Sequence, residues 1–302
     1  MARWRPQWWQ IRRGVVKVWS TDLDSPRMSG PRQASSVTDN LRQGLQDPRA
    51  VRVSTALDGT AVGPVSWVAE TGSTNVDLLD AAGSGEPHGT VLVADHQTAG
   101  RGRRDRRWES APGDALMVSV LLEPTSGPAS LASLTTAVGV AAAEACAALG
   151  ADGVGLKWPN DLVVGPPGER RKLAGILAQS LVSPDRVVAV VGLGLNVRGD
   201  RLAGLAPTAV ALDELVASPD REQILIEVLR RLAALLDASP RDLRARYLAR
   251  SATVETDVEV TTDAGVLRGR AVDVTLAGSL VVEAGDGRHE VVVGDVVSVR
   301  SG

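Results

Sequence analysis

The stretch from Gly155 to Leu181, GLKWPNDLVVGPPGERRKLAGILAQSL, decides the fold. Pro159 lacks a backbone donor for a sheet ladder, and Asn160 and Asp161 favour turns. Lys157-Trp158-Pro159-Asn160-Asp161 therefore predicts a tight hairpin turn between strands at Gly155–Trp158 and Asp161–Val164. A further strand is expected over Lys172–Leu181. Alternation along these strands puts Lys157 and Pro159 on one face, and Lys172, Ala174 and Ile176 on one face of the next.

Outward from this hairpin the pattern alternates. Strands are expected at Val65–Glu70, Thr90–Asp95, Ala115–Leu122 and Val187–Gly192, and helices at Ser73–Ala82, Ser130–Leu149, Arg221–Leu236 and Arg241–Ala249. The fold class is α+β, a mixed β-sheet covered by helices on one side. Beyond Ser251 the chain turns to short Val-rich runs separated by Asp263-Ala264-Gly265, Ala277-Gly278-Ser279 and Gly285-Asp286-Gly287. These are hairpin signals at close spacing and predict a small β-barrel. The expected organisation is an N-terminal extension over 1–64, largely disordered apart from a short amphipathic piece near Val37–Leu45, a catalytic domain over 65–250 and a C-terminal domain over 251–302.

Composition narrows the function. The chain has 302 residues, a net charge of −3 and one cysteine, Cys146. One cysteine makes no internal disulfide and, without zinc-site spacing, reads as a small buried apolar residue. Residues 1–27 hold four of the seven tryptophans and six basic residues against two acids. They suit a membrane-surface or nucleic-acid element, but no helical apolar stripe organises the tryptophans, and an upstream extension without a fold is preferred. Those residues lack a signal peptide's apolar core, and only Leu131–Leu149, which contains Glu144, approaches the ~18 apolar residues a membrane span needs. A cytoplasmic protein is expected. Only three of the 33 basic residues are lysine: Lys17, Lys157 and Lys172. Where arginine is the default cation, the remaining lysines are candidates for chemistry, since a compact ammonium is not replaced by a planar fork.

Three clusters carry chemistry. Glu70-Thr71-Gly72-Ser73-Thr74-Asn75 opens a helix; Thr71 or Ser73 can cap it, or Ser73, Thr74 and Asn75 can offer neutral donors and acceptors to a urea or amide. His96-Gln97-Thr98-Ala99-Gly100-Arg101-Gly102-Arg103-Arg104-Asp105-Arg106-Arg107-Trp108 alternates glycine with arginine, as a loop closing over a phosphate requires, and is expected to be mobile until ligand orders it. A solvated basic loop and a nucleic-acid contact are the alternatives, the latter disfavoured by the acidic balance beyond residue 27. In the third cluster Lys157 and Lys172 can converge on one anion, or one can pair with Asp161 while the other is solvated.

Together these stretches closely resemble the biotin protein ligases, the biotin–[acetyl-CoA-carboxylase] ligase family. The match is carried by Ser73-Thr74-Asn75, Gln97, Ala99-Gly100-Arg101-Gly102-Arg103, Trp108, Lys157-Trp158-Pro159-Asn160-Asp161, Lys172-Leu173-Ala174-Gly175-Ile176-Leu177 and Gly192-Leu193-Gly194-Leu195-Asn196. It spans Val65 to Arg300, and five motifs in family order are specific. The resemblance implies a class II synthetase-like catalytic domain and an SH3-like barrel. The implied reaction joins biotin to ATP as biotinyl-5′-AMP and then transfers biotin to a lysine of a biotin carboxyl carrier domain. Ser73, Thr74, Asn75, Gln97, Arg101, Gly102, Arg103 and Lys172 would hold biotin. Arg103, Arg106, Trp108, Lys157, Asn160 and Asn196 would hold ATP or the adenylate. Lys172, Arg103 and Arg101 would be catalytic, and Asp161 would meet Mg2+ or the adenylate. The implied partner is the carrier domain of an acetyl-CoA, acyl-CoA or pyruvate carboxylase, with no nucleic acid or membrane, and the enzyme would be a monomer or weak homodimer. Residues 29–64 are too short for the winged helix-turn-helix of family repressors, so a monofunctional enzyme is expected. Asp105 departs from the family's usual glycine, and its charge is expected to weaken ATP affinity. Rivals are a lipoate or octanoyl ligase-transferase of the same fold, and a regulator that binds biotinyl-AMP without transferring it.

Overall fold

The computed structural model describes residues 17–20, 34–104, 106–123, 131–182, 186–206, 208–262, 265–292 and 294–298. The chain order is β1 (Lys17–Ser20), α1 (Ala34–Gly44), α2 (Pro48–Ala56), β2 (Val65–Thr71), α3 (Thr74–Gly83), β3 (Val91–Gln97), β4 (Ala115–Leu122) and α4 (Leu131–Ala148). There follow β5 (Gly155–Lys157), β6 (Asp161–Val164), β7 (Arg171–Val182), β8 (Val187–Asn196), α5 (Leu202–Leu205), α6 (Arg221–Leu236) and α7 (Pro240–Ala249). The C-terminal strands are β9 (Asp257–Thr262), β10 (Gly265–Val274), β11 (Leu280–Ala284), β12 (Gly287–Val291) and β13 (Asp295–Ser298).

The main sheet runs β2-β3-β4-β8-β7-β6-β5, with β1 beside the outer end of β7. Only β2 and β3 are parallel, because α3 carries the chain from one to the other; the remaining neighbours are antiparallel. Alternation divides the side chains between two faces. On one face Trp67, Val93, Leu116, Val118, Ile176, Val191 and Leu193 pack with α2, α4 and α6 in the large core. On the other, Leu92, Leu121, Val188 and Val190 pack with α1 and α3 in a smaller one. Helices thus lie on both faces rather than on one, as the alternation of strands and helices alone had suggested.

The extension expected to be disordered over 1–64 is corrected in its second half. Asp47 caps α2 by accepting from Arg49 N, Pro48 supplies the fixed φ of a first turn, and Ala50, Val53 and Leu57 are buried in the core. The sequence signal was weak because each helix spends few apolar residues, all on one stripe. Lys17–Ser20 is likewise a strand; the rest of 1–33 lies outside the described residues.

Helix α4 is long and apolar enough to cross a membrane, but it packs against the sheet and α6. Cys146 sits in it fully buried, its thiol pushed up to about 12 by burial, as expected of a structural cysteine. The second sheet is antiparallel, in the order β12-β11-β10-β9-β13. Trp158 ties it to the hairpin between β5 and β6, donating from its backbone N to Thr253 Oγ1 (2.9 Å) and from Nε1 to Gly278 O (2.9 Å).

Candidate active site

Where α3 ends its cover of the sheet, side chains on that face change from apolar to small and polar. Leu121, Val188 and Val190 give way to Ser119, Gly192, Gly194 and Gly175. The space left is a cavity of about 290 Å³, roofed by Arg101–Arg103, Arg106–Trp108 and the start of β13. Of the residues expected to bind or act, all line it except Asn196.

One end is neutral. Ser73 stands at the N-cap of α3 but makes no capping hydrogen bond, so its hydroxyl is left to the cavity. The helix's first N–H finds another acceptor: Thr74 N donates to Gln97 Oε1 (2.8 Å) at the end of β3. Gln97 is thereby oriented with its carbonyl inward, leaving its amide N–H groups as donors toward the cavity. Asn75 lies across β7, its Nδ2 donating to Leu177 O (3.0 Å) and Gln179 Oε1 (3.2 Å). Ser119 and Gln179 belong to this network and were not singled out in the sequence, though a serine inside ALMVSVLL was a signal. Gly192 is required here, since a Cβ on it would land on Asn75 Oδ1.

The other end is cationic. The hairpin from Gly100 to Trp108 is closed by Gly102 N donating to Arg106 O (2.7 Å) and Trp108 N to Gly100 O (3.1 Å). Asp105 lies outside the described residues. Arg103, Arg104 and Arg106 converge on Asp295 of β13, at 3.6, 2.6 and 3.5 Å. Arg103 also donates to Asn160 Oδ1 (3.3 Å), whose Nδ2 donates to Ile176 O (2.8 Å), so the turn after β5 steadies the loop. Arg101 and Lys157 make no ion pair among the described residues. The Trp108 indole lies flat on Gly194, where a Cβ would come within 2.6 Å of it, and its buried Nε1 has no partner.

Lys172 stands between these ends. Its Nζ is 2.7 Å from Asp161 Oδ1 and 5.8 Å from the Trp108 ring centroid. The alternation expected for its strand is corrected by a register shift: Ala174 pairs with Leu162 and Lys172 with Val163, so Leu173 is an extra residue. A bulge of this kind re-aims the next side chain. Leu173, Ala174 and Ile176 enter the core, whereas Lys172 joins Gly175 on the cavity face, its Nζ 3.0 Å from where a Cβ on Gly175 would be. Asn196 stands apart from the cavity wall. It is buried behind Lys172, donating from Nδ2 to Lys172 O (3.3 Å) and Val210 O (3.1 Å). Lys172 N donates to Thr208 O and Val210 N to Lys172 O, both at 2.9 Å, so the lysine's backbone is clamped on both sides. Asp161 is a single carboxylate: among the described residues no three metal-ligating side chains gather.

Two family models match the chain. Residues 70–196 match the biotin/lipoate A/B protein ligase family and residues 257–298 the biotin protein ligase C-terminal domain. The biotin–[acetyl-CoA-carboxylase] ligase of Mycobacterium tuberculosis is 38% identical over 273 residues, 87% of this chain and 98% of that protein. The bifunctional ligase/repressor BirA of Escherichia coli is 34% identical over 70% of this chain and 64% of its own length. The structure of biotin protein ligase from Aquifex aeolicus in complex with biotin and ATP superposes with a TM-score of 0.67 at 28% identity, covering 78% of this chain and 99% of that one.

Proposed function

The chain belongs to the biotin protein ligase family, and from that premise we propose how its cavity works. It activates biotin with ATP to biotinyl-5′-AMP, releasing pyrophosphate, and transfers biotin to a lysine of a biotin carboxyl carrier domain. One observation carries the reading: a single cavity joins a buried neutral end, with an acceptor at Thr74 and donors at Gln97, to an end lined by Arg101, Arg103, Lys157 and Lys172. A urea carries a carbonyl and N–H groups that complement the first end, and an anion belongs at the second. A lipoyl dithiolane has neither donor nor acceptor, and burying those protein groups unpaired against it costs about 1–3 kcal/mol each.

Joining the biotin carboxylate to the α-phosphate brings two anions together, which fixed cations assist. Lys172, clamped through its backbone and steadied by Asp161, is the cation at the centre, with Arg103 and Arg101 reaching in from the roof. Trp108 offers an aromatic face for the adenine, and Arg106, Lys157 and Asn160 border the nucleotide end. Asn196 is read as holding Lys172 rather than touching nucleotide. The hairpin roof excludes water from the mixed anhydride. In the second step the carrier's lysine nitrogen attacks the acyl carbonyl, an amide forms, AMP leaves and the nitrogen loses a proton. No nucleophile of the enzyme is required.

Magnesium fits as a companion of the phosphates rather than as a resident ion. Asp161 is the one carboxylate on the cavity floor beside Lys172, and such ions are held by one or two carboxylates plus phosphate oxygens. Bound there, it would spread the charge of the departing pyrophosphate. The C-terminal sheet is read as an SH3-like barrel. The partner is the carrier domain of an acetyl-CoA, acyl-CoA or pyruvate carboxylase, and the enzyme is read as cytoplasmic, a monomer or weak homodimer acting on neither nucleic acid nor membrane. Pyrophosphate release with ATP, magnesium and either biotin or lipoate tests the activity: release with biotin is expected, and release with lipoate alone would overturn it.

A further inference from the structure

Ser119 is fully buried on β4, one layer behind the neutral end of the cavity and not on its wall. It stands in a row of four oxygens. Thr74 Oγ1 is 3.0 Å from Gln97 Oε1 and 2.7 Å from Ser119 Oγ, and Ser119 Oγ is 2.6 Å from Asn75 Oδ1. These three contacts share only two hydroxyl protons, and the count limits where each proton can lie.

Asn75 settles one end. Its Nδ2 donates to two acceptors, Leu177 O and Gln179 Oε1, so its Oδ1 is the atom facing Ser119. A carbonyl oxygen only accepts, so the one Ser119 proton goes to Asn75. Ser119 can then only accept from Thr74. The Thr74 proton is directed to Ser119, the nearer oxygen, or to Gln97 Oε1; in both cases it is committed inside the protein. Toward the cavity Thr74 presents lone pairs alone.

We propose that Ser119 is a positioning residue that fixes the Thr74 hydroxyl as an acceptor, so that the cavity selects a ligand carrying an N–H at that point. This rests on the urea-binding reading above. It assigns the chain's discrimination to a residue that no ligand atom touches, held by Asn75 and Gln179 from behind. The arrangement is close-packed as well as polar, because Asn75 Oδ1 occupies the space that a Cβ on Gly192 would fill.

The test compares biotin with a cyclic-carbamate analogue in which the ureido N–H facing Thr74 is replaced by a ring oxygen. In the wild-type enzyme the oxygen meets Thr74 lone pair to lone pair, and KM for the analogue should exceed that for biotin by about 100-fold, the scale set by a buried polar mismatch. In Ser119→Ala the Thr74 hydroxyl keeps only the longer contact to Gln97 Oε1, so its proton is freer to turn to the ligand. The KM for biotin should rise and that for the analogue fall or hold, shrinking the ratio by about tenfold with kcat for biotin largely kept. Ser119→Cys, which occupies similar space but bonds weakly, should shift the ratio the same way if the alanine variant is too unstable to assay. Ser119→Thr keeps the hydroxyl and should keep the ratio. A merely structural role for Ser119 would raise both KM values together and leave the ratio unmoved, which overturns the inference. So would a wild-type enzyme that accepts the analogue as well as biotin. A wild-type enzyme releasing no pyrophosphate with biotin would instead sink the ligase reading, and this inference with it.

Discussion

The two ends of the cavity are built by opposite means. The neutral end is made of regular elements, the first turn of α3 and the middles of β4, β7 and β8, and Thr74, Asn75, Ser119 and Gln179 are bonded to one another behind it. The cationic end is made of the Gly-Arg hairpin, of lysines at the ends of β5 and β7, and of a carboxylate from a different sheet. Asp295 lies 191 residues in sequence from Arg104, yet it gathers three arginines of the roof. Recognition of a neutral group needs fixed donors and acceptors in a dry place, because a misplaced hydrogen bond cannot be mended by water. Handling phosphate needs charge that can be redistributed as anions arrive and leave. On the proposed reading, the contrast assigns specificity to the rigid end and turnover to the adjustable one.

The largest effect is expected where the ends meet. Lys172→Ala should lower the adenylation rate by about 10²–10³, as loss of a charge-stabilising group does, while thermal stability stays close to wild type. An unimpaired rate would remove the lysine from the chemistry and leave the two ends without a joint.

The rigidity of the neutral end can be attacked from below. Asp95, two residues before Gln97 on β3, accepts from Arg49 (3.0 Å), Arg221 (2.8 Å) and Trp67 Nε1 (2.9 Å), binding α2 and α6 to the strand. Burial alone would raise its pKa, but hydrogen bonds from Arg49, Trp67 and Arg221 together hold it below the ordinary carboxylate value. The folded value is depressed, so its stabilisation is present above the unfolded pKa of about 4 and is lost as pH falls through the folded value. Asp95→Asn should cost about 2 kcal/mol near neutral pH and flatten the acid limb of the stability curve. A variant whose denaturation matches wild type at pH 7 and in acid would show that this network does not brace the end of β3.

A smaller effect separates two roles for Asn196. If it clamps Lys172, Asn196→Ala should lower kcat by about tenfold, the worth of a buried hydrogen bond or slightly more, with ATP affinity measured by calorimetry unchanged. Weakened ATP binding at unchanged kcat would return it to the nucleotide site. Smallest of all, Asp295→Asn removes the carboxylate that competes with phosphate for Arg103, Arg104 and Arg106. The KM for ATP should fall about two- to fivefold at low salt, as befits partly exposed pairs. A rise would mean that Asp295 organises the roof rather than restraining it.

The same contrast explains what was legible in the sequence. The neutral end was readable because its residues are local: Ser73, Thr74 and Asn75 are adjacent, and Gln97 ends the neighbouring strand. Ala115–Leu122 and Arg221–Leu236 fell where periodicity placed them. The failures came from geometry that a period does not carry. One extra residue at Leu173 inverted the face assigned to Lys172. The polarity of a buried amide decided that Asn196 turns to Lys172 O and Val210 O. Asp295, inside a Val-rich hairpin, has no signal linking it to the Gly-Arg loop, because that contact is made only by the docking of one sheet against another. Helices α1 and α2 were underestimated because each contributes only two or three side chains to a core built mainly by others.

The most direct test of the whole account is the intact mass of a biotin carboxyl carrier domain after incubation with the enzyme, ATP, magnesium and equal concentrations of biotin and lipoate. One biotinyl group added at a single lysine, with no lipoyl adduct, is the result predicted from a urea-selective end coupled to a phosphate-handling end. A lipoyl adduct, or an unmodified carrier with active ATP turnover, would contradict it.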